Sequence, residues 1–275
     1  MIFLSNKKII TSFLLLLVIL SSISAYGNQN KGYGQNQGGQ VYQLYDDTQV
    51  NHQQEIGSYP VEELRQEEID GLLLMREEEK LARDVYLELY DIWGQQIFLN
   101  IANSESTHTN AVKLLLDKYN LTDPVTNDTR GAFTNQDMAE LYNVLVEKGS
   151  VSLLDALTVG ATVEDLDIND LKKLNGISDN QDITAVYNNL EKGSRNHLRS
   201  FTRVIEQNGG IYEPQYISES EYNEIISSEM ETGTGYSANP AVQTEQSNQY
   251  NASSSNNESK NVFERMWQGF MNWFR

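Results

Sequence analysis

The amino-acid sequence predicts an all-α protein, an antiparallel four-helix bundle with one short extra helix over residues 60–231. In this part of the chain, apolar side chains recur every three or four residues, which is the period of an amphipathic helix. Alternating runs rich in Val, Ile and Thr, which would indicate strands, are missing between these segments. Both observations favour helices packed on helices around one apolar core.

The first two predicted helices are separated by a clear stop. The first runs over about residues 61–92, and Gly94 follows its end, where glycine readily adopts the left-handed backbone of a helix terminus. The second runs over about residues 95–119, and Pro124 with the polar residues after it closes the helix into a loop.

The short helix and the last two core helices follow. Thr134 with Asp137 three residues later resembles a helix cap and opens a short helix over residues 134–148. Ser150 opens the third core helix, and the fourth runs from about residues 179–182 to Gly209.

The N-terminal residues 1–25 have the organisation of a secretory signal peptide. Lys7 and Lys8 precede an apolar run over residues 9–20, and small residues lead up to Ala25. The run is shorter than the roughly 20 residues of a membrane span, although an uncleaved anchor is the alternative. Both interpretations place the remaining chain outside the cytoplasm, either secreted or associated with the cell surface.

Two polar stretches flank the bundle. Residues 26–59 are rich in Gln, Asn, Gly and Tyr, and residues 232–260 are rich in Ser and Asn. Such compositions bury too little apolar surface to offset chain entropy, so both are predicted to be disordered.

The C-terminal residues 261–275 are predicted to form an amphipathic aromatic helix. Its apolar face suits contact with a membrane surface or a protein partner, and packing back onto the bundle is the alternative. That face carries Phe263, Met266, Trp267, Phe270 and Phe274.

Charge and composition exclude some classes of function. The formal net charge of −19 argues against nucleic acid as a partner, because the phosphate backbone would be repelled. With no cysteine, the chain has neither disulfides nor thiolate ligands nor a catalytic thiol. No phosphate-binding loop, cofactor fingerprint or nucleophile–base pair is visible.

Polar side chains interrupt the apolar face of each core helix. Glu79 lies on this face of the first helix, while Glu105 and His108 lie three residues apart on that of the second. Glu164 and His197 continue the inner faces of the third and fourth helices. Carboxylate and imidazole groups meeting inside a bundle are the ligands of di-iron and di-manganese sites. The sequence therefore predicts a metal site, with iron or manganese as the expected cofactor and zinc also compatible.

Solvated helix faces are the alternative interpretation of the same residues. Residues 77–79 followed by Lys80 can form an exposed acidic face, and residues 104–108 a solvated patch. Burying several carboxylates without a cation is costly, which favours the metal site if these faces point inward.

Three blocks of sequence resemble an exported ferritin-like family catalogued as domain of unknown function 2202. They cover residues 77–86, 100–108 and 193–201, within a resemblance that spans about residues 62–213. The resemblance implies a ferritin-like four-helix bundle related in shape to rubrerythrins.

The resemblance also bears on the choice of ligands. In rubrerythrins a first-helix Glu is followed at three and seven residues by Ala and Tyr, and Glu79, Ala82 and Tyr86 match this pattern. The match favours Glu79 over its neighbour Glu78.

One position departs from the di-iron pattern. That pattern has Glu-x-x-His on both the second and fourth helices, whereas here Ser194 precedes His197. Glu191 points about 120° away from His197, at 3.6 residues per turn, so it cannot substitute. Asp167 can supply the carboxylate if the third helix extends that far. Otherwise three carboxylates and two histidines remain, enough for one metal or an asymmetric pair.

The sequence thus leads to two hypotheses about function. The first is an exported ferritin-like protein that binds iron or manganese and supports ferrous-iron oxidation or peroxide reduction. The second is a metal-free cell-surface or matrix module that binds through its polar arm and aromatic tail.

Overall fold

A computed structural model describes residues 55–233, and the regular secondary structure in this part of the chain is all helix, without strands. The all-α prediction is confirmed. The predicted signal peptide, most of the first polar stretch, the linker beyond residue 233 and the aromatic tail lie outside the described residues. The helices are α1 (Gln66–Trp93), α2 (Gln96–Lys118), α3 (Gln136–Gly149), α4 (Leu153–Ile177), α5 (Gln181–Gln207) and α6 (Glu219–Ser227).

The helices pack as two pairs that face each other. α1 packs on α2 and α4 on α5, while contacts of α1 with α4 and of α2 with α5 join the pairs. The shorter α3 packs against α1 and α4. Gly94 has a φ of 63°, and its N–H donates to the Tyr90 carbonyl over 2.7 Å, as predicted for the stop after the first helix.

Two apolar clusters fill the interior of the bundle. One is built around the rings of Tyr86, Phe98 and Phe201, whose centroids lie 5.4 to 6.5 Å apart. The other contains Leu72 and Leu115. On each of the four long helices, polar residues lie between the segments that supply the two clusters, so a polar layer crosses the middle of the bundle.

Several helix boundaries differ from the prediction. α1 begins at Gln66 instead of residue 61, because the Glu68 carboxylate accepts the Arg65 N–H over 2.9 Å and fixes the first turn there. The predicted disordered arm over residues 26–59 is wrong for its last residues, since residues 55–58 are helical and Ile56 is buried in the second cluster.

α6 was not predicted as a helix. It is short, and only Tyr222 and Ile225 among its side chains are buried, so its sequence has little apolar periodicity. None of the helices described in the structure is long and apolar enough to cross a membrane.

Candidate metal centre

The polar layer contains all five predicted ligands. α1 contributes Glu79, α2 contributes Glu105 and His108, α4 contributes Glu164, and α5 contributes His197. Each is between 1% and 9% exposed, and residues 77–80 are at most 5% exposed. The alternative of solvated faces is therefore wrong.

The five side chains form two groups of three that share Glu105. In the first group, His108 Nδ1 lies 2.6 Å from Glu105 Oε2 and 3.3 Å from Glu79 Oε2. In the second, His197 Nδ1 lies 2.8 Å from Glu105 Oε1 and 3.2 Å from Glu164 Oε2. Within each group the ligand atoms lie within 4.8 Å of one another. The two oxygens of one carboxylate thus face two adjacent positions where a cation can bind.

The two imidazoles are held side by side at the edge of the layer. Their ring centroids are 5.6 Å apart, with an angle of 27° between the planes of His108 and His197. The Ser104 hydroxyl lies 3.0 Å from His197 Nε2. Gly193 faces His108, and a Cβ at that position would lie 2.5 Å from both Cε1 and Nε2 of the ring. Each ring therefore turns Nδ1 toward the carboxylates.

A tyrosine from α1 positions one carboxylate. The Tyr86 hydroxyl donates to Glu164 Oε1 over 2.5 Å and lies 3.3 Å from the Gly160 carbonyl. This contact leaves Glu164 Oε2 directed toward His197.

Asp167 lies beside the position where the di-iron pattern has its second helical Glu. α4 extends past it to Ile177, so the condition set by the sequence is met. The Ser194 hydroxyl donates to Asp167 Oδ2, while Oδ1 is buried without a hydrogen bond. Glu191 is directed elsewhere and pairs with Arg195 over 2.6 Å. A carboxylate is thus present near this corner of the layer, supplied by a different helix.

Burial and mutual proximity perturb these groups strongly. Burial raises the pKa of Glu79 to about 8, against the opposing effect of His108. Burial also acts to raise the pKa of Glu105, but His108 and His197 outweigh it and hold that pKa well below its usual value. Burial lowers the pKa of His197, yet Glu105 and Glu164 outweigh it and bring the pKa to about 10. Positive imidazolium rings therefore balance the carboxylates when no metal is bound.

Burial also perturbs two further carboxyl groups on α4. Burial raises the pKa of Glu164, and burial followed by the charge of Glu79 raises the pKa of Asp167 well above its usual value. Metal ligands must lose their protons, so a divalent cation would replace protons in this layer.

The donor set fits a first-row transition metal. Buried nitrogen and oxygen donors converge from four helices, and Glu79 Oε1 and Asp167 Oδ1 are buried without a hydrogen bond. Imidazole with carboxylate suits iron, manganese or zinc. Unpartnered buried oxygens are costly, and a bound cation would satisfy them.

Sequence reasoning missed Ser104 and Gly193 at this centre. Ser104 directly precedes Glu105, and Gly193 lies four residues before His197, inside matched sequence blocks. Glycine within a long helix lowers helix propensity, which was the available sign of a close contact at position 193.

Comparison with known proteins assigns the family. The family described as "Uncharacterized protein domain (DUF2202)" matches residues 68–229. The chain belongs to this family. The DUF2202 chain is also 60% identical over 178 residues to an uncharacterized protein of Methanocaldococcus jannaschii, MJ0754, covering 65% of this chain and 96% of the relative.

A solved structure resembles the DUF2202 chain closely. It is described as the crystal structure of hypothetical protein MJ0754 from Methanococcus jannaschii, at 60% sequence identity and a TM-score of 0.63. The match covers 63% of this chain and 99% of the solved one. All of these matched proteins are described as uncharacterized or hypothetical, so the function has to be argued from the polar layer.

Proposed function

We propose that this protein is an exported ferritin-like protein that binds iron or manganese in the polar layer of its bundle. The single observation that carries the proposal is the shared carboxylate. Glu105 offers one oxygen to each of two ligand groups, as a carboxylate bridging two metal ions would.

The chain path supports a ferritin-like arrangement. α2 ends at Lys118 and α4 begins at Leu153, so a long connection containing α3 joins the two helix pairs. Ferritin-like folds have one such long crossover between pairs of antiparallel helices, with carboxylates and Glu-x-x-His motifs projecting inward.

Each ligand has a defined role in this proposal. Glu79 and His108 would hold an ion in the first ligand group, Glu164 and His197 would hold an ion in the second, and Glu105 would contribute an oxygen to each group. A bound iron or manganese ion would supply a Lewis acid and a redox centre, suited to ferrous-iron oxidation or peroxide reduction.

Neighbouring groups position these ligands. The Tyr86 hydroxyl fixes the rotamer of Glu164, and Ser104 holds the outer nitrogen of His197. Such contacts orient ligands and tune metal affinity. Asp167, with its free buried oxygen, is a further ligand candidate in place of the carboxylate missing at Ser194.

A metal-free interaction module explains this interior less well. It would leave Glu79 and Asp167 with buried, unpartnered oxygens and no compensating function. An exported location rests on residues 1–25, and contact with a membrane or partner rests on residues 261–275, both known here only as sequence.

Metal analysis of purified full-length variants tests the proposal. Wild type loaded with Fe(II) under argon or with Mn(II) is expected to retain more than one metal per chain, and Glu105→Gln to lose most of it. Glu79→Gln and Glu164→Gln should each weaken one position by about tenfold or more, which corresponds to ~1.4 kcal/mol. Glu147→Gln, on the exposed side of α3, is the matched control for loss of one carboxylate.

The outcomes separate binding from catalysis. Equal metal content in wild type and Glu105→Gln would contradict the proposed site. Bound metal without oxidation of Fe(II) by dioxygen, or without peroxide consumption, would retain the binding function and reject the enzymatic one.

A further inference from the structure

Two buried carboxyl groups lie outside both ligand groups. Glu78 is 3% exposed, and both of its oxygens lack a hydrogen bond. Asp170 is 0% exposed, and its Oδ2 is also without a partner. Neither contributes to the triads of Glu79 or Glu164. Burying unpartnered carboxyl groups is costly, so their presence requires a physical reason.

Their positions connect the metal centre with the outside of the bundle. Glu78 adjoins Glu79 on α1, and Asp170 follows Asp167 by three residues on α4, about 9 Å along the axis from Glu164 at 1.5 Å per residue. Glu78 and Asp170 lie on α1 and α4, two helices that pack against each other. The two buried carboxyl groups thus continue from the ligand Glu79 on α1 and from Asp167 on α4, with Asp170 next to Lys173.

The Asp170 end of this pair already holds a positive group. Asp170 Oδ1 accepts a hydrogen bond from Lys173 Nζ over 2.8 Å, and the Lys173 side chain is 45% exposed. The lysine can swing into solvent because it extends from the surface of α4 on a flexible stem. An arriving cation would take the place of its ammonium group.

We propose that Glu78 and Asp170 form a transfer site through which divalent cations pass between solvent at Lys173 and the metal centre. The proposal rests on the proposed function. Carboxylate oxygens attract hard divalent cations such as Mn²⁺. Among the described residues, neither carboxyl group joins two further ligands within 4.8 Å, so binding is weak enough for the ion to move on.

The rate of Mn(II) uptake by full-length, metal-stripped protein tests this site. Loss of the free Mn(II) electron paramagnetic resonance signal after rapid mixing reports uptake directly. Glu78→Gln and Asp170→Asn are expected to slow uptake by about tenfold, as loss of one charge contact worth ~1.4 kcal/mol would do, while the final Mn content stays at the wild-type value. Lys173→Met should accelerate uptake, because it removes the competing ammonium.

The controls make each outcome decisive. Glu147→Gln changes the net charge by the same amount as either carboxyl variant, and it should take up Mn(II) at the wild-type rate. Wild-type rates in both carboxyl variants, or a lowered final Mn content in Glu78→Gln, would overturn the transfer site while leaving the metal centre in place. Should the carboxyl variants fail to fold, a wild-type rate of Mn(II) uptake in Lys173→Met would likewise overturn the transfer site. Wild type that takes up neither Mn(II) nor, under argon, Fe(II) overturns both proposals.

Discussion

At the scale of single residues, the space beside His108 is set by the absence of a side chain at position 193. Gly193 lies on α5 and faces Cε1 and Nε2 of the imidazole, where a Cβ would approach to 2.5 Å. Real Cβ contacts are longer, so a larger residue must displace the ring. Such a displacement would move Nδ1 away from Glu105 and Glu79.

Gly193→Ala is expected to weaken metal binding at the His108 position by about tenfold or more, the scale seen when a ligand loses its correct orientation. Alanine is the better helix former by roughly 0.5–1 kcal/mol, which offsets part of the crowding, so the metal-free variant should remain folded. Isothermal titration calorimetry with Mn(II) measures the loss of affinity.

Gly176→Ala is the matched control. Like Gly193, Gly176 lies within a helix, in this case α4. A Cβ at Gly176 would meet nothing within 4 Å. It should leave metal affinity unchanged and raise stability slightly. Wild-type Mn(II) affinity in Gly193→Ala would show that the His108 ring can move without weakening metal binding.

At the scale of elements, charged residues on α1 tie down the connection between α2 and α3. Lys80 is 0% exposed; its ammonium donates to Asp84 and, over 3.1 Å, to the Thr129 carbonyl. It also lies 4.4 Å from the centre of the Phe133 ring. One turn earlier, Glu77 accepts the N–H of Thr134 over 2.6 Å. α1 therefore uses its buried charges to fix the connection, in addition to its role at the centre.

Lys80→Ala should lower the free energy of unfolding by about 1–3 kcal/mol, because it removes the ammonium from buried Asp84, which keeps the Arg83 guanidinium 2.9 Å away. Urea unfolding of the metal-free protein measures this loss. Lys113→Ala removes an exposed ion pair with Asp117 and should cost no more than about 0.5 kcal/mol.

A double variant checks the physical cause. Lys80→Ala combined with Asp84→Asn is expected to cost less than the sum of the two single changes, since the pair is coupled. Additive losses would mean that Lys80 acts through packing alone.

At the scale of the whole molecule, the chain after α5 folds back along the bundle and is held by buried side chains. Asp165, on α4, accepts the Tyr212 hydroxyl over 2.8 Å and the Ile217 N–H over 2.9 Å. Arg195 and Arg199 on α5 bind the Glu231 carboxylate at 2.6 and 2.9 Å. These contacts fasten the chain after α5 to α4, which carries Glu164, and to α5, which carries His197.

The Glu231 contact predicts a pH dependence of stability. Hydrogen bonds from Arg195 hold the pKa of Glu231 below its usual value of 4.5. A carboxylate with a lowered pKa stabilises the fold above its ordinary pKa and loses that contribution as the pH falls through the lowered value. Glu231→Gln should thus be less stable than wild type at neutral pH.

The measurement is the difference between the two proteins in urea unfolding midpoint as a function of pH. That difference should shrink in acid and vanish once Glu231 is protonated, with Glu147→Gln giving the background. A difference that persists unchanged at about pH 3 would contradict the assigned cause.

The sequence by itself determined the four long helices, the short α3 and the candidate ligands. The apolar period identifies one inward face per helix, and Glu79, Glu105, His108, Glu164 and His197 stand out because they interrupt those faces. A period of 3.6 residues contains enough information to locate a face on its own helix. The same period predicts the all-α class, while the stop at Gly94 is predicted by the left-handed backbone that glycine adopts at a helix end.

Only the tertiary structure decided which side chains meet. Ser194 and Asp167 are 27 residues apart in the chain, and their hydrogen bond depends on how α4 and α5 are rotated against each other. The sharing of Glu105 by His108 and His197 depends likewise on how α2 and α5 are placed against each other. Periodicity specifies each inward face but not the partner across from it, because packing of all the helices together sets that choice.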